Sequence, residues 1–563
     1  MRARKKANSI TANAIAGTHV VLLGLDIDAS KRAGFLGFAI QRTEAKTGNV
    51  FWMKGMKTFE ATMPNTSPGQ SFSSQEHPFQ SFQWSDYTVT PGNAYKYKIV
   101  PLYGKPANLD QRNGVEISIT TEEEWAKPHS VFFNRGSVAS QAYAQQFQNQ
   151  PPSVAGQAAY DWLSRGLHEA LLAFIARAKN STWQIHGAVY EFQDIPVLTA
   201  LKDASDAGAT VSVIYDAIPG TSGPKAGNEK AISDVGIEDI CIPRTLGTIM
   251  HNKFFVLSKD GVPKMVWTGS TNLTENGIYG HSNLGHAVED SKVAKAYFEY
   301  WQRLSLDPPT THNPAYKAGN ETQTPTPPAD WPKSLLSVYS PRPNLNALQW
   351  YADLAATAQS GLFATFPFGM HKLFQQVYAK DDDILRFGLM DKRTAQTREP
   401  NRTNDLAAIH AIAARKNVVL AVGNNIVTNE FDRWLAELDQ IVGHVFVHWV
   451  HTKYMIVDPL SEDPIIVSGS ANFSDASTKD NDENVLVIRG DKRVADIYLG
   501  EFMRLHSHYA FRQAVAIHVE QGGSPTDWKP QFLQDSDVWQ VPYFDAGDSS
   551  GKFARRTFFS QVV

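Results

Sequence analysis

His251-Asn252-Lys253-Phe254-Phe255-Val256-Leu257 is followed, after a turn and a second apolar strand, by Gly269-Ser270-Thr271-Asn272. Two hundred residues later the chain repeats this pattern, first as His451-Thr452-Lys453-Tyr454-Met455-Ile456-Val457-Asp458 and then as Gly469-Ser470-Ala471-Asn472. The histidine precedes the glycine by 18 residues in both copies. A repeat with equal internal spacing indicates two structurally related halves in one chain.

The spacing of histidine and lysine decides which way these side chains point. In a strand, residues i and i+2 lie on one face, so His251 and Lys253 point the same way, as do His451 and Lys453. The later turn adds a serine hydroxyl and an asparagine amide. If the halves meet about a pseudo-twofold axis, one pocket receives two copies of each group. This set suits a phosphodiester, because it can hold the non-bridging oxygens and supply both a nucleophile and a proton donor.

Both copies resemble the signature of the phospholipase D superfamily, His-x-Lys-x4-Asp followed by Gly-Ser-x-Asn, and the resemblance covers roughly residues 130–510. It implies a phosphodiesterase that needs neither metal nor cofactor. One histidine attacks phosphorus to form a phosphohistidine, and the other protonates the leaving alcohol and then deprotonates the water or acceptor alcohol. The catalytic residues that the resemblance implies are His251, Lys253, His451, Lys453, Asp458 and Glu483. The substrate-binding residues that it implies are Ser270, Asn272, Ser470 and Asn472.

The first copy departs from the signature at its acidic position. Asp458 is present in the second copy, whereas the first has Ser258 there. Asp260-Gly261, just beyond, predicts a hairpin turn rather than a replacement for the missing acid. One interpretation is therefore that the first half has decayed and that activity is lost.

A second difference between the halves concerns the support of the histidines. Glu483 follows His451 by 32 residues, and the equivalent residue of the first half is Asn283. In the family, the supporting acid of one half can orient the histidine of the other. The resemblance therefore implies that Glu483 supports His251 as the nucleophile, with His451 as the general acid. A reaction that needs one neutral and one protonated imidazole predicts a bell-shaped dependence on pH.

Length and composition restrict the class of protein. The chain has 563 residues, of which 42% are hydrophobic and 20% charged, so it is long enough for several folded domains. Its net charge of −4 argues against nucleic-acid binding by bulk charge, although a local basic groove stays open. The single cysteine, Cys241, excludes an intramolecular disulfide and a cysteine-based metal site.

Alternating apolar runs separated by turns predict an all-β N-terminal module, in which Pro91–Val100 resembles the late-strand signature of fibronectin type III domains. Alternating helices and strands then predict two α-β-α halves of a pseudo-twofold phospholipase D fold. The predicted division is a basic tail at 1–17, an immunoglobulin- or fibronectin III-like sandwich at 18–125, a first half at 126–306, a Pro-rich linker at 307–335, a second half at 336–520, and a C-terminal extension packed on the catalytic body at 521–563. The loop 218–230 is predicted to be mobile and near the site entrance.

The substrate class stays open at this point. Hydrolysis or transfer of a phospholipid headgroup is favoured, nucleic-acid cleavage is the alternative, and a catalytically weak binding or scaffold protein is the third hypothesis. A peripheral membrane contact and a protein partner of the β module are further hypotheses. The basic start of the chain lacks the apolar run of a signal peptide, and no run of about 18 apolar residues predicts a spanning helix, so a cytoplasmic location is the default expectation.

A metal site is the competing interpretation of one further cluster. His444, His448 and His451 have the spacing that would place three imidazoles on one face of a helix. The β-branched and aromatic residues between them favour a strand instead, which argues against zinc. His281 and His286, which follow the first asparagine motif, are predicted to be loop or supporting residues.

Overall fold

The protein is described by a computed structural model over residues 1–67, 70–136, 143, 146–220, 223–328, 331–394, 396–423, 450–523 and 530–561. An all-β domain occupies its N-terminal part and two α/β halves follow, which confirms the predicted fold class. None of the described helices combines the length and the apolar composition needed to cross a bilayer.

The N-terminal domain is a sandwich of two antiparallel sheets. Its strands are β1 (Arg2–Ala7), β2 (Ile10–Ala16), β3 (Val21–Ile27), β4 (Gly37–Glu44), β5 (Val50–Trp52), β6 (Lys54–Gly55), β7 (Phe72–Ser73), β8 (Gln83–Asp86), β9 (Ala94–Lys105), β10 (Asn108–Gln111) and β11 (Val115–Thr120). One sheet has the order β1-β2-β3-β8 and the other the order β10-β9-β4-β5, with β11 also paired to β9. Side chains of both sheets, such as Leu23 and Tyr97, share one apolar core. The likeness of this domain to fibronectin type III stays a prediction.

The first α/β half begins with β12 (His129–Phe133). Its other elements are α1 (Pro152–Ala155), α2 (Gln157–Ser164), α3 (Leu167–Ile175), β13 (Trp183–Val189), α4 (Ile195–Asp206), β14 (Thr210–Asp216), α5 (Lys225–Val235), β15 (Cys241–Arg244), β16 (Lys253–Lys259), β17 (Val262–Gly269), β18 (Leu284–Val288) and α6 (Ser291–Leu304). Asp194 caps the start of α4, because its carboxylate accepts a hydrogen bond from Val197 N at 3.0 Å. The predicted hairpin at Asp260-Gly261 joins β16 to β17.

The second half repeats this order of elements. After α7 (Pro314–Gln323) come β19 (Leu335–Ser340), α8 (Asn346–Ala356), β20 (Gly361–Phe366), α9 (Lys372–Tyr378), β21 (Leu385–Met390), α10 (Asn401–Ala413), β22 (Val418–Val422), β23 (Tyr454–Val457), β24 (Ile465–Gly469), α11 (Asp475–Lys479), β25 (Glu483–Arg489) and α12 (Lys492–Glu520). The C-terminal extension contains α13 (Val541–Phe544) and α14 (Lys552–Ser560).

The two seven-stranded sheets have the same topology. Their orders are β12-β18-β17-β16-β13-β14-β15 and β19-β25-β24-β23-β20-β21-β22, with parallel pairing only among the last three strands of each. The strand that follows each His-x-Lys motif is central in its sheet, and alternate residues of it face different cores. Phe254 and Tyr454 contribute to the core that both halves share, whereas Phe255 and Met455 pack in the separate core of their own half. The repeat therefore brings the two motifs toward one junction.

The N-terminal residues differ from the prediction of a basic tail. Residues 2–7 and 10–16 form β1 and β2, which pair with each other in register. Ala3 and Ala7 pack against the sandwich core, while Arg4 and Lys6 are exposed. Arg4 and Lys6 are thus on the solvent side of an edge strand, whereas Arg2 pairs with Asp496 at 2.8 Å.

Two other segments also differ from the predicted organisation, and a third makes contacts beyond those predicted. The predicted Pro-rich linker contains α7, whose Tyr316 and Asn320 are buried. The predicted mobile loop 218–230 becomes helical at Lys225. The C-terminal extension packs on the catalytic body as predicted, where Phe558 meets Phe363 with ring centroids 5.5 Å apart, but also on the sandwich, where Trp539 stacks on Phe82 at 5.4 Å. The first two segments were misassigned because their buried residues meet partners that are remote in sequence.

We predict that Gly24→Ala displaces the C-terminal helix from the sandwich. A Cβ at Gly24 would lie 1.9 Å from the carbonyl oxygen of Phe559, so the backbone of α14 must move. We expect a loss of about 2 kcal/mol in unfolding free energy, measured by denaturant titration, and faster proteolysis of α14. Gly319→Ala is the control, because its nearest neighbour would be Arg303 Cδ at 3.7 Å. Equal stability of the two variants would contradict this packing.

Candidate active site

Each His-x-Lys segment is held by the opposite half of the molecule. Met250 forms a parallel bridge with Asp482, and Val450 forms one with Ser282. His251 N donates to the Asp482 carbonyl oxygen at 3.0 Å. His451 N donates in the same way to Ser282 O at 3.2 Å. The two histidines are therefore related by the pseudo-twofold repeat and lie at the junction of the halves.

The imidazole of His251 binds a buried carboxylate. Its Nδ1 lies 2.9 and 3.0 Å from the two carboxylate oxygens of Glu483, which is fully buried. Because a carboxylate only accepts hydrogen bonds, Nδ1 carries the hydrogen and Nε2 the lone pair. Burial lowers the pKa of His251 to about 4, against the opposing effect of Glu483. Burial would raise the pKa of Glu483, but His251 and Lys253 hold it below its usual value. The pair is thus a neutral imidazole on an anionic carboxylate.

The imidazole of His451 has a neutral partner instead. Its Nδ1 lies 2.8 Å from Asn283 Oδ1. Since the Asn283 amide nitrogen donates to Gly277 O at 2.7 Å, the oxygen faces His451 and Nδ1 again carries the hydrogen. Burial, together with the positive charges of Lys453 and Lys253, lowers the pKa of His451 well below its ordinary value. The predicted contact between Glu483 and His251 is present, and Asn283 takes the equivalent place beside His451.

Both motif lysines are buried at this junction. Lys253 Nζ donates to His251 O at 2.8 Å, and Lys453 Nζ donates to His451 O at 2.7 Å. Burial lowers the pKa of Lys253 to about 8. Burial also lowers the pKa of Lys453 well below its usual value, and the charge of Lys253 lowers it further. The two ammonium groups are thus close enough to repel each other, which favours an anionic ligand between them.

The two motif asparagines remain available to such a ligand. The side-chain oxygens of Asn272 and Asn472 are buried and have no hydrogen-bond partner in the part of the chain that the structure describes. Buried polar atoms without partners are rare in folded proteins, so each needs an explanation. A ligand at this junction that accepts from the amide nitrogens and donates to these oxygens would provide one.

The two motif serines correct the expectation that they bind substrate. Ser270 Oγ donates to Asn283 Oδ1 at 2.8 Å and accepts from Leu284 N at 3.2 Å. Ser470 Oγ donates to Glu483 Oε2 at 2.6 Å and accepts from Asn484 N at 3.0 Å. Each hydroxyl therefore donates its one hydrogen to the group that supports a histidine. The serines therefore orient those supports and do not face the ligand.

Asp458 also differs from its expected catalytic role. Its carboxylate accepts from the backbone nitrogens of Gln359, Ser360 and Gly361, at 2.8, 2.7 and 3.0 Å. It lies five residues beyond Lys453, at the other end of β23, so it is roughly 16 Å along the strand from the lysine. Asp458 closes the turn before β20 and does not join the histidines. Its absence from the first copy, where Ser258 is buried in β16, therefore leaves the site intact.

Sequence reasoning did not single out two further acids. Asp216 Oδ2 accepts from Met250 N at 2.9 Å, and Asp391 Oδ1 accepts from Val450 N at 3.3 Å. Each carboxylate thus binds the residue just before a motif histidine. Burial raises the pKa of Asp216 to about 6. The available signal was an acid at the end of the same strand in both halves, β14 and β21.

Three other side chains join the site without having been assigned to its centre. The rings of His281 and His451 have centroids 5.6 Å apart, and those of Tyr190 and His251 are 5.2 Å apart. The negative charge of Glu191 opposes the lowering of the pKa of both lysines. The predicted supporting residue His286 lies instead in β18, where it contacts His129 Nδ1 at 2.9 Å. These contacts depend on loops whose course the sequence pattern does not indicate.

Metal ligands are the remaining structural question. No group of three or more His, Cys, Asp or Glu side chains in the described ranges could hold a metal ion. His444 and His448, which formed the competing zinc pattern with His451, lie outside the described residues.

Two segments of the chain, residues 171–305 and 401–506, match the family model described as cardiolipin synthase, phospholipase D-like domain. They include both His-x-Lys motifs and both supporting residues. These two segments, which together make up less than half of the chain, are phospholipase D-like in sequence. A search of curated proteins finds no significant match.

Solved structures also resemble the chain. Phosphatidylserine synthase from Haemophilus influenzae is 13% identical, over 64% of this chain and 94% of that one, with a TM-score of 0.43. Tyrosyl-DNA phosphodiesterase from yeast is 11% identical, over 55% and 83%, with a TM-score of 0.29. Polyphosphate kinase from Porphyromonas gingivalis is 10% identical over 68% of this chain, which spans only 53% of that one, with a TM-score of 0.37. Likenesses of this strength do not determine a substrate.

We predict that Asp458→Ala destabilises the second half and leaves the histidine pair unchanged. Three backbone N–H groups lose their acceptor, so we expect a loss of about 2 kcal/mol in unfolding free energy. The imidazole resonances of His251 and His451 should not move in NMR spectra. Asp463→Ala is the control, because Asp463 pairs with Arg489 at a partly exposed position, 2.8 Å apart, and should contribute less than about 1 kcal/mol. A shift of the imidazole resonances would contradict this prediction and show that Asp458 does influence the histidines.

Proposed function

We propose that the protein cleaves a phosphodiester through a phosphohistidine on His251, without a metal ion, and that its substrate is a phospholipid that loses or exchanges its headgroup. The observation that carries this proposal is the unequal support of the two histidines. An anionic carboxylate holds His251, and a neutral amide holds His451. Charge builds up on the histidine that bonds to phosphorus, and a carboxylate stabilises that charge.

In the first step, Nε2 of His251 attacks phosphorus and the bond to the headgroup oxygen breaks. His451 donates its proton to that oxygen, so the headgroup leaves as an alcohol and the phosphatidyl group stays on His251. Lys253 and Lys453 bind the non-bridging oxygens and offset the charge that builds up on them. In the second step, the now neutral His451 takes a proton from water or an acceptor alcohol, whose oxygen attacks phosphorus and breaks the N–P bond.

Binding of the phosphodiester raises the proton affinity of His451. In the substrate-free site, positive neighbours disfavour a charged imidazole there. A bound phosphodiester brings a negative charge between these groups and therefore raises the pKa of His451. Binding of substrate thus favours the protonated form that His451 needs as the general acid.

Apolar groups near the site support a lipid rather than a nucleic acid. A cleft of about 420 Å³ lies beside Asn472, and its lining includes Phe366, Phe368, Met370 and Phe473. Phe368 is 38% exposed. Such a cleft suits the apolar part of a phospholipid next to its phosphate. Nucleic-acid cleavage is the second candidate, because the same phenyl rings offer faces on which a base can stack.

The loop before His251 adds further exposed apolar groups. Leu246 is 55% exposed and Ile249 is 36% exposed, and both lie only a few residues before His251 in the chain. Exposed apolar side chains around a site are typical of a surface that meets lipid or protein. We propose that these residues and Phe368 contact a lipid surface when substrate enters.

We predict phosphodiesterase activity in the presence of a metal chelator. Vesicles of phosphatidylcholine or phosphatidylglycerol should be cleaved faster than single-stranded DNA or RNA. His251→Ala and His451→Ala should each lower the rate by at least about a thousandfold. His410→Ala, on the exposed side of α10, is the matched control and should retain the parent rate.

Mass spectrometry of an acid-quenched reaction should place the phosphoryl group on His251. A phosphoryl group on His451 would reverse the assignment of the two histidines. Equal rates for the parent and His251→Ala, or activity that a chelator abolishes, would refute the mechanism. Faster cleavage of DNA or RNA would select the nucleic-acid candidate.

We predict a bell-shaped dependence of kcat/KM on pH, with an unusually low acid limb. Below about pH 4 His251 gains a proton and loses the lone pair that attacks phosphorus, so the rate falls. On the alkaline side His451 loses the proton that it donates to the leaving oxygen, and above about pH 8 Lys253 also loses its charge and binds the phosphodiester less well. Initial rates from pH 3.5 to 10 would measure both limbs. An acid limb near the ordinary histidine pKa, or no alkaline loss by pH 10, would contradict the site as described.

A further inference from the structure

A second buried cluster, centred on Asp482, lies next to the Glu483–His251 pair. Asp482 is completely buried, and its two carboxylate oxygens accept from Tyr316 OH and from Arg244 Nε, each at 2.9 Å. Arg244 is equally buried, and its Nη1 donates to Asp307 Oδ1 at 2.6 Å. Arg244 Nη2 has no hydrogen-bond partner among the described residues, but both oxygens of Asp482 are satisfied, and removal of one partner of a buried charge pair leaves the other uncompensated.

The backbone of Asp482 connects this cluster to the site. Asp482 N donates to Ile249 O at 2.9 Å, and Asp482 O accepts from His251 N at 3.0 Å. The next residue, Glu483, holds the His251 ring. The side chain of Asp482 thus fixes the short segment that determines both the backbone and the ring orientation of His251.

The other half lacks this ionic arrangement at the equivalent position. There the residue is Ser282, whose carbonyl oxygen also accepts from the motif histidine but whose side chain is a neutral hydroxyl. Of the two histidine supports, Glu483 is therefore preceded in the chain by a buried carboxylate, that of Asp482, and Asn283 is preceded by the hydroxyl of Ser282. This difference parallels the replacement of Glu483 by Asn283.

Both donors to Asp482 depend on the segment that joins the two halves. Tyr316 lies in α7, and Asp307 lies between α6 and α7. Asp307 also accepts from Thr245 N and Leu246 N, at 3.0 and 3.1 Å, and so fixes the chain that leads from β15 to His251. The joining segment thus contacts the support of His251 from two sides.

We infer that Tyr316 and Arg244 are positioning residues that hold Glu483 and His251 in line for attack on phosphorus. The inference rests on the proposed function, which assigns His251 as the nucleophile. In-line attack requires the reacting nitrogen to be held near contact distance and aligned with the leaving oxygen, and a displacement of about 1 Å can cost a hundredfold in rate. A support that is itself fixed by buried hydrogen bonds provides that alignment.

Tyr316→Phe tests this inference with the smallest change, because it removes one hydroxyl and keeps the ring. We expect kcat to fall about tenfold while KM stays within about twofold. Tyr378→Phe is the matched control, since Tyr378 is equally buried and its hydroxyl donates to Phe387 O at 2.7 Å in the outer part of the second half. Both variants lose one buried hydrogen bond, so their thermal stabilities should fall by similar amounts, but Tyr378→Phe should retain the parent kcat.

A substrate with an activated leaving group identifies which step the variant affects. A 4-nitrophenyl phosphodiester needs little help from a general acid, so the first-step burst of 4-nitrophenol should largely recover in His451→Ala, whereas turnover stays slow because the second step still needs a base. The loss in Tyr316→Phe should persist on this substrate, because attack by His251 is still required. Recovery of Tyr316→Phe would overturn the inference, as would a kcat equal to that of Tyr378→Phe.

A measurement without substrate separates this inference from the proposed function. The Nδ1 proton of His251, identified by its loss in His251→Ala, should give a low-field resonance from its bond to Glu483. That resonance should persist in Tyr378→Phe and move or broaden in Tyr316→Phe. If the parent cleaves no phosphodiester, the proposed function fails, but the resonance still decides whether Tyr316 positions His251. An unchanged resonance in Tyr316→Phe overturns the inference whatever the activity.

Discussion

The hydrogen bonds between Glu483 and His251 join a residue of the second half to a residue of the first, and the site depends on this exchange. Its counterpart joins Asn283 of the first half to His451 of the second. Neither histidine is oriented by its own half alone. The site therefore forms only when both halves have folded and docked, which gives the shared core between the two sheets a direct part in the chemistry.

The duplication produces similar geometry but not equal chemistry. Each half supplies a carboxylate that accepts from the residue before its histidine, a serine that orients a histidine support, and a lysine that donates to the histidine carbonyl. Where the supports contact the imidazoles, the difference is a single negative charge, Glu483 against Asn283. Because a carboxylate stabilises a cationic imidazole much better than an amide does, this one difference assigns separate roles to two otherwise equivalent groups.

The cost of burying several cations explains why the junction favours an anion. Two lysines and two histidines meet where burial lowers the pKa of each, and Glu483 and Glu191 only partly oppose this effect. A bound phosphodiester would offset the repulsion between these positive groups, and this favours ligand binding. The supporting hydrogen bonds keep these groups in place while the site is empty.

The amino-acid sequence by itself determined the two related halves, the shared face of each histidine and lysine, and the unequal supports Glu483 and Asn283. The halves and the shared faces follow from spacing and repetition, whereas the supporting role of position 483 was implied by the resemblance to the phospholipase D superfamily. Only the tertiary structure decided that Ser270 and Ser470 bind those supports, that Asp458 closes a distant turn, and that Tyr316 reaches Asp482. Each of these depends on contacts between residues that are far apart in the sequence, and the periodicity of the chain does not indicate such contacts.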